Sequence, residues 1–406
     1  MTIYFFYPSK ILGGVEMLFA RLADNLCKNY KVVVIDYENG IYNKILPNYK
    51  YDINIVSINK IILNDSDLVI TPPSDFILLK KYLYLSKKTK LLFWYLQPYN
   101  SVHFFPKLFL NSQYSNKYFL RLINKFLFFN YYKKTKLLIK KANEEGGVIY
   151  MDSNVLDFND FFFSLDTANP VFVKIPVEFN SLVTSKKSPN NIINLCWVGR
   201  LKHDALPILK RLILDLESTK KIYFGTINFY IIGDGICRPD LNVFTDNIIG
   251  INFFYKGTLS PTDLDHFLDN NIDCLFAFGT SALEGGKLGI PVCLLDPSYR
   301  DLKHNEYLYK WLFESKNFKL GRLINHYNNL PPENTKSIDE VLFALKNSHH
   351  KLSFNTYNYV FKNHNIDQTL KDLKSSISNC TFFYSTAQSY ISAPTLRTVI
   401  NFFKNN

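Results

Sequence analysis

Residues 273–296 read DCLFAFGTSALEGGKLGIPVCLLD. Cys274 to Phe278 is an apolar run of strand length, Gly279, Thr280 and Ser281 break it, and Ala282 to Leu288 has helical spacing. After Gly289 and Pro291 a second apolar run reaches Leu295. The pattern predicts one strand, turn, helix, strand unit. Its turn sets small residues at a helix N-terminus, where backbone N–H groups and the positive dipole end favour an anion such as a pyrophosphate. Glu284 stands one turn into the helix, within reach of whatever the loop holds. A second reading applies to the same carboxylate. Ser281 and Glu284 have capping-box spacing, in which the glutamate folds back onto the Ser281 N–H and serves only the helix end.

The chain around this unit has 406 residues, which is long for one core and fits two domains. Hydrophobic residues at 47% and charged residues at 20% describe a globular protein. Six cysteines, at 27, 196, 237, 274, 293 and 380, form no C-x-x-C pair, so the expected compartment is a reducing cytosol. The start, MTIYFFYPSK, lacks the charged region of a signal peptide, and no apolar run approaches the roughly 20 residues of a spanning helix. The expectation is a soluble or peripheral protein. A net charge of +12 asks for an acidic partner, which nucleic acid, an anionic membrane or a phosphate-bearing substrate would each supply. Abundant Lys, Asn, Ile, Phe and Tyr are also what a biased genome composition produces.

Read from the start, Thr2 to Tyr7 is strand-like, Gly13 and Gly14 form a loop, Val15 to Cys27 has helical spacing and Lys31 to Asp36 is a second strand. Leu68 to Thr71, Leu91 to Leu96 and Val148 to Met151 add short strands, with Phe76 to Leu85 helical between them. Such alternation implies a parallel sheet covered on both faces, with ligands outside the strands' carboxyl ends. The Gly13-Gly14 loop would lie there. It is no dinucleotide fingerprint, since no G-x-G-x-x-G follows the first strand, and a plain tight turn explains it equally well. The turn after WYLQPYN, Trp94 to Asn100, should likewise aim Gln97 and Asn100 at the ligand side. His103 is the nearby imidazole, a candidate for acid-base work or an ordinary polar residue.

PVFVKIP, residues 170–176, followed by a polar stretch to Asn191, reads as a domain connection. A second alternating series follows. Strands are expected at Ile192 to Val198, Phe229 to Ile232 and Phe253 to Tyr255, and helices at Leu206 to Leu216 and Pro261 to Leu268. The unit at 273–296 closes this second sheet.

Several segments together resemble the GT-B fold glycosyltransferases, specifically the retaining, group 1-like family. LEGGKLGIPV is similar to the family's L-E-A-x-A-x-G-x-P-V, PSKILGGVEMLFARLADNL to its first loop and helix, and NLCWVGRLKHD to its V-G-R-L-x-x-x-K strand end. YIIGDG and YKGTLSP resemble the next two strand ends, and YNYVFKNHNIDQTLKDL, 357–373, its terminal helices. The motifs run in family order over residues 3 to 375. The resemblance implies two Rossmann-like domains facing a cleft: an acceptor-side domain at 1–178, a sugar-nucleotide domain at 191–375, and a tail at 376–406 where family members cross back to the first domain. It implies a glycosyltransferase that moves a sugar from a nucleoside-diphosphate donor to a surface-polysaccharide or lipid-linked glycan. In that reading Arg200 and the loop Gly279, Thr280 and Ser281 hold the diphosphate and Glu284 the ribose. Lys256, Gly257 and Thr258 line the base, and Gly13 and Gly14 let the backbone approach donor phosphate or acceptor. No cofactor or metal is expected beyond the donor, because D-x-D carboxylates are absent from the donor loop and helix termini with arginine can replace a divalent ion.

The chain departs from the family in three places. Ala205 stands where the family's lysine is expected, with Lys202 the nearest substitute. Phe276 stands where many retaining members carry a second acid, eight positions before Glu284. Gln97-Pro98 replaces His-Pro. These departures keep open a catalytically silent glycosyltransferase-like partner protein. A nucleic-acid-binding protein is the other class, suggested by interleaved Lys and Tyr/Phe, but no RNA- or DNA-binding module is present and no nucleic-acid partner is expected.

Phe104 to Lys141 holds nine basic residues, no Asp or Glu, and a dense set of aromatics including Phe126, Phe128, Phe129, Tyr131 and Tyr132. Basic residues with rings at helical spacing suggest an element lying in an anionic membrane interface, with part of its apolar side packed on the sheet. The expected location is cytoplasmic and peripheral on the inner face of the cell membrane.

Overall fold

A computed structural model describes residues 1–11, 13–48, 54–57, 61–98, 100–101, 117–127, 129–179, 189–219, 222–304, 306–324 and 332–390. Counting these residues, the chain forms two units, one from residues up to 101, 117 to 175 and 369 to 390, the other from 176 to 368.

The first unit is built on six strands: β1 (Thr2–Phe6), β2 (Lys31–Asp36), β3 (Asn54–Ser57), β4 (Leu68–Thr71), β5 (Lys90–Tyr95) and β6 (Val148–Tyr150). They lie in the order β3-β2-β1-β4-β5-β6, all parallel. This is the doubly wound order that the alternating pattern implies. Strands covered on both faces read as continuous apolar runs, and LVIT of β4 is buried at every position. Helix α1 (Gly14–Leu26) turns Leu18, Phe19, Leu22 and Leu26 to the sheet, with the Phe19 ring 5.0 Å from Phe5.

Helix α2 (Phe76–Tyr82) is shorter than the sequence pattern suggested. Leu83 is extended (φ −121°, ψ 141°), and Leu83–Leu85 pairs in parallel with Ile61–Leu63 as a small second sheet. The expected helix therefore ends three residues early, because an apolar run this short fits either periodicity. Helices α3 (Lys117–Leu127), α4 (Phe129–Glu144) and α5 (Ser153–Phe163) complete the middle of this unit.

The second unit repeats the plan. Strands β7 (Ile192–Val198), β8 (Thr226–Ile232), β9 (Ile251–Gly257), β10 (Cys274–Ala277), β11 (Val292–Leu294) and β12 (Lys310–Trp311) lie in the order β9-β8-β7-β10-β11-β12. Only β12 is antiparallel. Inward residues of β7 and β8, such as Ile193, Leu195, Trp197, Phe229 and Ile231, pack on Ile208, Leu209 and Leu212 of α6 (Leu206–Ser218). From the open edge of this sheet inward three asparagines in register form a ladder: Asn252 Nδ2 donates to Asn228 Oδ1 (3.0 Å), and Asn228 Nδ2 to Asn194 Oδ1 (2.9 Å).

Helices α7 (Arg238–Thr245), α8 (Pro261–Asn271), α9 (Thr280–Lys287) and α10 (Ile338–His364) follow, α10 kinking at Ser348. Two adjacent glycines inside α9 cost intrinsic helix stability, on the order of 1 kcal/mol each. Close packing is what they permit: a Cβ on Gly285 would stand 2.3 Å from Leu275 Cδ2, and one on Gly286 2.6 Å from Val360 Cγ2 of α10.

Helix α11 (Ile366–Asn379) carries the chain from the second unit into the first, which takes over at residue 369. The reason is a set of contacts on the first sheet: Lys174 pairs with Asp372 at 2.9 Å, and the Leu91 N–H donates to the Phe382 carbonyl at 2.9 Å. Phe382 is fully buried, its ring 5.7 Å from Phe93.

Candidate functional site at the strand ends

Trp197 of β7 pairs in register with Phe276 of β10. Counting three residues on along each strand reaches Arg200 and Gly279, so a cation and a helix N-terminus emerge side by side from adjacent parallel strands. Arg200 is solvent-exposed. Beneath it Trp197 is buried, its indole N–H donating to the Gly199 carbonyl at 3.3 Å and its ring 5.3 Å from Phe278. Gly233, at the end of β8, approaches this crest so closely that a Cβ there would stand 2.1 Å from the Gly199 carbonyl oxygen.

Gly279 is the N-cap of α9, with φ 63° and ψ −145°, a conformation only glycine adopts without strain. Its own N–H donates to the Leu320 carbonyl at 2.7 Å, so it ties the loop to the 318–324 segment. Asp296 holds that segment: its buried carboxylate accepts from Arg322 N and Asn334 Nδ2, both at 2.6 Å, and from the Tyr307 hydroxyl at 2.8 Å. The N–H groups of exposed Thr280 and half-buried Ser281 sit in the first helical turn, where the helix offers no internal partner. Of this loop, Thr280 and Ser281 present first-turn N–H groups, while the Gly279 N–H is committed to Leu320 and anchors the turn.

Because Gly279 and not Ser281 is the cap, Glu284 is the fifth helical residue, beyond the third position that a capping box requires. Its carboxylate instead meets the Lys287 ammonium at 2.6 Å, and Lys287 meets Asp265 of α8 at 2.7 Å. Burial alone would lower the Lys287 pKa, but the Glu284 charge and the hydrogen bonds Lys287 donates to both carboxylates raise it. Sequence reading missed Lys287. The signal was there, since the similar family segment carries alanine at this position.

Lys202 and Thr258 are exposed, and Lys256 lies over the Phe267 ring of α8 at 5.3 Å from its centroid. Gly257 ends β9 at φ 66°, its carbonyl accepting from Gly233 N at 2.7 Å. Ala205 and Phe276 are fully buried, so neither position presents a polar group to a ligand. Two further side chains at the crest, His203 Nδ1 and Cys237 Sγ, lie 3.4 Å apart.

On the first unit Gly13 caps α1 and Gly14 opens it. The Glu16 carboxylate folds back over Gly13 and is buried. Burial, then the charges of Glu16 and Asp75, push the Tyr7 phenol up to about 12, and burial brings Asp75 up to about 6. Tyr7, Glu16 and Asp75 therefore cluster at the ends of β1 and β4. Asn100 does not face outward as expected: its side-chain oxygen accepts from Leu96 N (2.8 Å) and Gln97 N (2.7 Å), closing the end of β5. Gln97 is exposed, and His103 lies outside the described residues.

Both sheets share the strand order 3-2-1-4-5-6 with a glycine-started helix after the first or fourth strand, and most of the chain superposes on known structures. Against the Anabaena protein Alr3699/HepE in complex with UDP-glucose the TM-score is 0.55 at 12% identity, over 93% of this chain and 99% of that one. The chain has the GT-B fold. The lipopolysaccharide outer core galactosyltransferase WaaB in its apo form gives TM-score 0.55 at 13% identity over 93% and 99%. A glycosyltransferase from Rickettsia africae gives 0.55 at 15% over 93% and 98%. No protein-family model and no curated protein matches the sequence. The resemblance drawn from short motifs and the GT-B fold thus agree.

Proposed function

We propose that this protein is a metal-independent hexosyltransferase that moves a sugar from a nucleoside-diphosphate donor to a surface-polysaccharide or lipid-linked glycan. The observation that carries the reading is the juxtaposition of Arg200 with the N-terminus of α9 on adjacent strands β7 and β10. A departing diphosphate carries most of the charge that develops during transfer, and fixed cations and N–H groups stabilise it without reorganising. Arg200 and the Thr280 and Ser281 N–H groups take that role, Glu284 accepts from the ribose, and Lys256 to Thr258 border the base. Neighbours of the same fold are described with UDP-glucose bound or as a lipopolysaccharide galactosyltransferase, which supports the donor and acceptor classes. The first unit supplies the acceptor side: Glu16 and Asp75 accept hydrogen bonds from sugar hydroxyls, and a buried carboxylate at the α1 N-terminus disfavours phosphate there.

The anionic membrane surface is part of the same reading. Helix α3 exposes Tyr118, Leu122 and Phe126 at i, i+4 and i+8, and Phe129 follows. Lys125 and Lys133 are exposed beside them. Among the described residues no helix is long and apolar enough to cross a membrane, so α3 would lie in the interface of the inner face.

The test is a thermal-shift screen against nucleoside diphosphates. Binding at 100 times Kd stabilises by about 2.7 kcal/mol, a readily measured rise in melting temperature. No shift with any nucleotide would favour a silent partner protein.

A further inference from the structure

Glu284 is set in an unusual place for a ligand-binding carboxylate. Residues three apart on a helix are neighbours on its surface, which sets the Lys287 side chain beside Glu284. That ammonium stands 2.6 Å from Glu284 Oε2 and 2.7 Å from Asp265 Oδ2, and the lysine side chain is only 11% exposed. An exposed pair at i, i+3 would contribute little and move freely. Here the lysine is largely enclosed and held by a second carboxylate from a different helix, so its position is fixed from two sides. Removing a buried cation from water is costly unless its partners are well placed, and both are.

We propose that Lys287 is the positioning residue for Glu284: tethered to Asp265, it holds the Glu284 carboxylate in the arrangement from which it takes the donor's ribose hydroxyls. The inference rests on the reading of Glu284 as a ribose ligand. A lysine that only staples α8 to α9 would make the same two contacts, and nucleotide recognition separates the two roles. A staple affects stability. A positioning residue affects the preference for ribose over a sugar that lacks its hydroxyls.

The experiment is isothermal titration of the full chain with UDP, GDP and ADP, each compared with its 2′,3′-dideoxy form. The wild type is expected to prefer at least one ribonucleotide by about tenfold, the value of a hydrogen bond to a charged group. Lys287→Ala and Asp265→Asn should bring that ratio to about twofold or less, with affinity for the dideoxy form little changed. Lys287→Arg should restore most of the ratio. A full ratio in Lys287→Ala, with a lowered melting temperature, overturns the proposal and leaves a staple. If Lys287→Ala does not fold, a full ratio in Asp265→Asn overturns it equally. A wild type that binds no nucleotide, or binds without ribose preference, refutes the reading of Glu284 itself and the proposal with it, a failure visible before any variant is made.

Discussion

Glu16 folds its carboxylate over Gly13 so closely that a Cβ on the glycine would stand 2.7 Å from Glu16 Oε2. The atom in the way is the tip of a flexible side chain, and Gly13 is extended (φ −149°, ψ −175°), so alanine fits once Glu16 swings aside. Gly13→Ala should cost about 0.5–1 kcal/mol of stability as a poorer cap. If Glu16 holds an acceptor hydroxyl, the same change should raise the acceptor KM about tenfold and leave the donor KM within twofold. Equal effects on both substrates would remove Glu16 from the acceptor side.

Arg200 is exposed and its removal leaves the core intact, so Arg200→Ala should keep the wild-type melting temperature. Turnover should fall on the order of 100-fold, the loss typical of deleting one preorganised group that stabilises transition-state charge. Lys202→Ala should cost less, since Lys202 leaves the strand end two residues further on. In the same assay EDTA should change turnover by less than about twofold; abolition by EDTA with recovery on adding magnesium would overturn the metal-free site.

Asp75 gives a pH signature. Burial raises its carboxyl to about 6, the Ser74 hydrogen bond acting the other way. An unfolded aspartate titrates near 3.9, so between about pH 4 and 6 the folded chain holds the extra proton, and its stability falls as pH rises across that window. Asp75→Asn removes this loss. Urea unfolding should show the variant more stable at pH 7 by about 1–2 kcal/mol, discounted for partial exposure, and no more stable near pH 3.5. An equal difference at both pH values would rule out the titration of Asp75.

The α3 surface predicts membrane contact that depends on both rings and charge. A Phe126→Asp, Phe129→Asp variant and a Lys125→Glu, Lys133→Glu variant should each lose most co-sedimentation with anionic vesicles, and wild-type binding should fade at high salt. Each lysine near such a surface contributes about 1 kcal/mol, so the paired charge reversal should weaken binding by well over tenfold. Wild-type binding that is absent at low salt, or unchanged in both variants, would leave α3 as an ordinary helix of the first unit.

Much of this architecture was legible in the residues because parallel strands covered on both faces leave uninterrupted apolar runs. Lys31–Asp36, Leu68–Thr71 and Ile192–Val198 occur where their patterns placed them. Leu83–Leu85 has no strand signature in the sequence, since three residues carry no period and their partner, Ile61–Leu63, is distant in sequence. The place of Arg200 and the Gly279 loop at the ends of neighbouring strands was legible because each follows an apolar run closely. The partnership of Lys287 with Asp265 was not, because it joins two helices and no spacing rule relates their residues. Likewise Ser281 and Glu284 matched a local motif that the backbone does not use, the φ of Gly279 having started the helix two residues earlier.

The asparagine ladder across β7, β8 and β9 has a bearing on how the edge strand finds its register. Strand β9 is a sheet edge whose Phe254 is 39% exposed and stacks on Tyr230, the kind of border that invites another strand. A shift of one residue in β9 would set Phe253 or Ile251 beside Asn228 and leave amides on both strands without their matches. The row of amides therefore works as a checksum on register during folding.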